Sequence, residues 1–135
     1  MVADVLALTR AYLIGQPDLT AKLGAMNGAP NVWAKADPPP GYNPATYGAG
    51  VVFQVRGGTD TYSTCILRPS IQYRIYGETE AQAQAAYLAL YDALRNAKSD
   101  TYQLLSTRLE AQGQLTRDPA TNWPMIFTAW THFVR

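Results

Sequence analysis

The spacing of apolar residues changes abruptly at Gly77, and this change limits the fold more than any other feature of the chain. Before it, Ser70–Tyr76 alternates, with Ile71, Tyr73 and Ile75 on one side and Gln72, Arg74 and Tyr76 on the other. A period of two belongs to a strand with two unlike faces. After it, Ala83, Tyr87, Leu90 and Leu94 form an i, i+4, i+7, i+11 stripe, the period of an amphipathic helix. Thr79 and Gln82 have capping-box spacing, and Glu78 and Glu80 suit the positive end of the helix dipole. The pattern predicts a helix from Glu80 to about Ala97. Ala86, Ala89 and Ala93 would let a sheet approach closely, and Arg95 and Lys98 suit the C-terminal end.

The rest of the chain extends this pattern. Val2, Val5, Leu6, Leu8, Leu13 and Ile14 recur at near-helical spacing, and Gly15-Gln16-Pro17 stops them. This predicts a first helix over Ala3–Ile14, then a short turn opened by Pro17 with Leu19 and Leu23 as its apolar contacts. Asn27–Pro30 has loop chemistry, and Asn31–Trp33 fits a short strand. Val51–Arg56 is a strand, Gly57–Asp60 a turn, and Thr61–Leu67 its hairpin partner. Arg68-Pro69 marks a bend, since proline cannot donate to a ladder. Tyr102–Glu110 is a further strand, with Leu105, Thr107 and Leu109 on one face and Gln112-Gly113-Gln114 ending it. Trp123–Val134 alternates with large apolar groups on both sides, so it is either central in the sheet or covered by another subunit. The order implies an α+β fold: a mainly antiparallel sheet with two helices packed on one face. The 135 residues suit one domain spanning the chain, with a long Pro-rich loop at 37–50. Such a loop inside a compact domain is unusual and is often a binding element.

Charge excludes several function classes. Charged residues are 16 % of the chain, against about 25 % in ordinary domains, and the net charge is +1. A nucleic-acid binder of the usual kind carries a basic excess, which is absent. The nine tyrosines suit interface contact, where they supply amphipathic area at low entropy cost, better than base stacking. The shortage of charge implies surface hidden against partners. Asp4 and Arg10 interrupt Met1–Gly15, so that stretch does not read as a signal peptide. No run approaches the ~20 apolar residues of a membrane span.

No catalytic constellation assembles from the sequence. His132 is the one imidazole, and none of Ser63, Ser70, Ser99 and Ser106 sits in a Gly-x-Ser-x-Gly turn. Cys65, the one cysteine, reads as a small buried residue on a strand and cannot pair within the chain. The acids are scattered singly, and the closest pair, Glu78 and Glu80, is explained by the helix start. No metal, cofactor or enzymatic activity is expected.

The order of elements resembles the phage tail terminator family, also described as tail completion or head–tail joining proteins. Val5–Leu23 resembles that family's opening, a leucine-spaced helix followed by a proline, with Leu8, Pro17, Leu19 and Leu23 in the corresponding places. Val51–Val55, Ser70–Tyr76, the alanine- and leucine-rich helix Glu78–Ala97 and the closing strand Trp123–Val134 are similar to the family's later elements. The resemblance implies a virion structural protein assembled in the host cytoplasm. It would form a ring, commonly hexameric, at the head-proximal end of the tail. Such a ring ends the tube, meets the head connector, and lets DNA pass through its lumen without specific binding. The family has no catalytic residues to carry over.

Candidate contacts with a subunit or partner are Tyr42 and Tyr47 in the Pro-rich loop and Trp130, His132 and Phe133 in the last strand. Three other readings compete: another neck protein (head-closure or adaptor), a small ligand-binding α+β domain with His132 and Arg74 lining a pocket, and a cellular adaptor binding through the proline loop. Adaptors tend to be mostly helical and head-closure proteins mostly β, so two helices with a long sheet favour the terminator.

Overall fold

A computed structural model describes residues 4–60, 67–95 and 97–135. Helix α1 spans Val5–Ile14 and is capped by Asp4, whose carboxylate accepts from Ala7 N at 3.1 Å. Pro17 opens the one-turn helix α2, Pro17–Thr20. The stretch expected as loop at Asn27–Pro30 is instead part of a tight hairpin. Strand β1, Ala25–Met26, pairs antiparallel with β2, Ala29–Pro30. Asn27 and Gly28 turn the chain between them with φ of 55° and 80°. Positive φ at both central positions is the type I′ turn that Asn-Gly favours.

Strand β3, Val32–Trp33, leads into the Pro-rich segment, which contains a one-turn helix, α3, Pro44–Tyr47. The expected turn at Gly57–Asp60 is instead strand: β4 runs Gly50–Asp60 and absorbs Gly57, at φ 135°, in a bulge after Val55. The predicted partner Thr61–Leu67, with Cys65, lies mostly outside the described residues. Strand β5, Leu67–Tyr76, continues straight through the expected bend, with Pro69 opposite Gly58. Helix α4, Glu80–Leu94, starts at the Thr79 cap and ends at Arg95, short of Ala97. Strand β6, Leu104–Arg117, passes through the expected break, which becomes a pair of register shifts around Ala111. Strand β7 is Pro124–Val134.

The main sheet has the order β3-β4-β5-β7-β6. Only β3 and β4 run parallel, and the other neighbours are antiparallel. β7 is therefore an inner strand, which accounts for its two apolar faces. α1, α2 and α4 cover one face, against Val51, Phe53, Ile71, Tyr73, Ile75, Ile126 and Trp130. Fully burying each such side chain contributes about 1.5–3 kcal/mol. A second core of Tyr42, Val52 and Tyr76, flanked by Trp33, Tyr47, Trp123 and Met125, lies on the opposite face. The Pro-rich segment and α3 cover one end of that face. Gln54, Gln72, Phe127, Thr131 and Phe133 remain partly exposed on the rest of it.

Candidate functional site

The Pro-rich segment folds back onto the sheet. Asn31, fully buried, donates from Nδ2 to the carbonyls of Tyr47 and Ala49 at 2.9 and 3.2 Å. Gly24 N donates to Ala49 O at 3.0 Å, in a contact so close that a Cβ on Gly24 would lie 1.7 Å from Tyr47 O. Tyr42 points inward. It is 5 % exposed, its hydroxyl donates to Gly48 O at 2.7 Å, and its ring meets Trp33 and Trp123 edge-on at 4.9 and 5.5 Å. Tyr47 is half-buried at the margin of the same cluster. Burial pushes the Tyr42 hydroxyl pKa well above its ordinary value, so the phenol stays neutral.

Beside this cluster is an open groove of about 480 Å³ between the Pro-rich segment and the β6–β7 loop. Arg74 lies in its floor, donating to Tyr76 Oη at 3.1 Å and meeting the exposed Asp37 carboxylate at 3.5 Å. Tyr76 in turn donates to Asp118 Oδ2 at 3.0 Å. Burial raises the Tyr76 hydroxyl to about 12, against the lowering influence of Arg74. Burial would also raise Asp118, but hydrogen bonds from Ala120 N, Tyr76 and Thr121 N bring its carboxyl below the ordinary range. The network holds the segment and the β6–β7 loop against the end of the sheet.

The last-strand candidates divide between the two faces. Trp130 and His132 are 3 % and 1 % exposed and lie under the helices. The Trp130 ring meets Tyr91 edge-on at 5.5 Å. His132 Nε2 lies 2.7 Å from Tyr73 Oη, and burial lowers the imidazole pKa to about 4, so it is neutral. Phe133 is half-buried on the opposite face, with the Arg68 guanidinium 5.8 Å above its ring. Of the five candidates, Tyr42, Trp130 and His132 have almost no surface left for a partner, whereas Tyr47 and Phe133 keep some. The pocket imagined between His132 and Arg74 does not form, because those side chains leave opposite faces of the sheet.

The open face carries a group that sequence spacing did not reveal. Glu110 of β6 accepts from Ser70 of β5 and Thr131 of β7, and its carboxylate lies 3.9 Å from Arg56 of β4. Burial would raise its carboxyl, but the two hydroxyls and Arg56 together hold it below the ordinary value. Four strands contribute one residue each, and the nearest two in sequence are 14 positions apart, Arg56 and Ser70. Only the register brings them together. Among the described residues, no three His, Cys, Asp or Glu side chains group as a metal site, and no helix is long and apolar enough to cross a membrane.

No family model and no curated protein matches the sequence. The fold, however, is similar to that of a chain in a solved particle described as the virion of a native gene transfer agent (GTA) particle. The TM-score is 0.64 at 18 % identity, and the match covers 96 % of this chain and 92 % of the other. At that identity the likeness is one of fold, and it extends over nearly the full length of both chains.

Proposed function

We propose that this protein is a structural component of a phage-like virion: a ring-forming tail terminator at the head-proximal end of the tail. In this role it ends the tail tube, meets the head connector, and lets DNA pass through the lumen. The observation that carries the reading is the fold likeness, over nearly the whole of both chains, to a chain of a gene transfer agent virion. The sequence resemblance to tail terminators supports the position in the tail. A net charge of +1 suits a channel that must not grip its cargo. Tyr47 and Phe133 act as contacts from the surface, and Tyr42, Trp130 and His132 act from inside by holding the contact-bearing elements in place.

The test combines native mass spectrometry of the purified protein with immunogold labelling of purified particles. The expected result is a closed oligomer, six copies being the leading stoichiometry, and label at the head–tail junction. A monomer that is absent from particles would overturn the reading.

A further inference from the structure

Two strand edges lack a partner among the described residues, and they stand on opposite sides of the sheet. β3 pairs with β4 only at Val51 and Val52, which leaves the outer edge of β4 unpaired from Phe53 to Asp60. β6 pairs only with β7. Its outer edge is occupied at Leu104 by Ser99 and at Gly113 N by the Tyr87 hydroxyl, and is otherwise open to Arg117. Long open edges invite pairing with another chain, and proteins that do not use them usually blunt them.

The two edges match in direction and level. β4 is antiparallel to β5, β5 to β7, and β7 to β6, so β6 is antiparallel to β4. A second copy placed beside the first, with its sheet continuing, therefore brings β4 alongside β6 in the antiparallel sense. The rung containing Val55 runs through Ile71 and Trp130 to Leu109, so the open half of β4 is level with the first half of β6. Val55, on the helix-covered face, is 43 % exposed. In the continued sheet it packs against Leu109 of the next copy. Charge agrees as well. Arg56 reaches Glu110 of its own chain across two intervening strands at 3.9 Å, and Glu110 of the adjoining copy would be one strand away.

We propose that copies of this chain join edge to edge, β6 of one against the Phe53–Asp60 half of β4 of the next. This inference rests on the ring reading and identifies the seam. The contact is heterologous, each copy offering a different edge on each side, which is the kind that closes into a ring when the rotation allows.

Disulfide trapping tests it. In a Cys65→Ser background, one chain carries Val55→Cys with Leu109→Cys and another Val55→Cys with Thr107→Cys, to allow for a shift of one same-face rung. Within a chain Val55 and Leu109 are three strand spacings apart, about 14 Å, too far for a disulfide. Across an antiparallel pair the distance is suitable. Oxidation is expected to give a ladder of covalent multimers that collapses on reduction, while single-cysteine chains stop at dimers. Native mass spectra of the unsubstituted protein are taken in parallel. Rings in those spectra with no ladder on the gel would overturn the edge pairing and leave the ring reading intact. Monomers in both would overturn the two together.

Discussion

The Gly113 N–H donates to the Tyr87 hydroxyl at 2.9 Å, and the Tyr87 ring fills the space a side chain at 113 would need. A Cβ there would lie 2.4 Å from Tyr87 Cζ. The glycine is what lets a helix tyrosine reach the backbone of an edge strand. Gly113→Ala is expected to force either the ring or the strand aside and to destabilise the fold by about 1–3 kcal/mol. Tyr87→Phe keeps the packing and loses only the acceptor, for about 0.5–1.5 kcal/mol. Urea denaturation of both variants checks the order, and a glycine variant less damaging than the phenylalanine variant would refute it.

The same glycine shows where local sequence signals stop. Gln112-Gly113-Gln114 reads as the end of a strand because glycine weakens strands, yet β6 continues because β7 offers a register on both sides of the irregularity. Gly57 and Pro69 mislead in the same way, since the pairing of β4 with β5 holds both inside strands. Periodicity, in contrast, reported the faces correctly. The Ala83–Leu94 stripe is buried, and the Ile126–His132 set lies under the helices. It could not say what covers each face. Alternation sends Trp130 and His132 to the helix-covered face and Phe133 to the other. The Glu110 group was illegible because it depends on the register of four strands.

Tyr42 is buried in the second core. It joins Trp33 to Trp123 and bonds to Gly48 O. Tyr42→Ala should cost about 3–5 kcal/mol, the range for removing a buried aromatic ring, and should shift tryptophan fluorescence as Trp33 and Trp123 gain water. Tyr47→Ala, at a half-buried position, should cost less. If Tyr42→Ala unfolds at the same temperature as the parent, the second core does not hold the Pro-rich segment.

Near-neutral charge predicts weak DNA binding. A protein gains most of its affinity for DNA by neutralising phosphates, with affinity falling steeply as salt rises. With a net charge of +1, the purified protein is expected to show at most weak, salt-sensitive retention of duplex DNA in fluorescence anisotropy. Submicromolar affinity at physiological salt would contradict the reading of a lumen that lets DNA slide.

His132 links stability to pH. Its neighbours in the helix-covered core carry no charge: Tyr73 Oη lies at 2.7 Å, and Leu8, Thr9, Tyr12, Tyr102, Leu104 and Val134 line the small cavity beside it. Burial lowers the folded pKa from 6.5 to about 4. Between those values the unfolded chain takes up a proton that the folded chain does not, so stability is complete above pH 6.5 and declines as pH falls toward 4. At about 1.4 kcal/mol per pH unit the loss approaches roughly 3 kcal/mol at the lower limit. Glu110 and Asp118, with folded pKa values below their ordinary 4.5 and 3.8, add their own losses as pH falls through and below those ordinary values. His132→Gln keeps a hydrogen-bonding side chain beside Tyr73 but does not titrate. Its unfolding free energy, measured by urea titration from pH 7 to pH 4.5, should be lower than the parent's at pH 7 and nearly flat, while the parent's falls. Parallel slopes for the two proteins would show that His132 is not the group responsible.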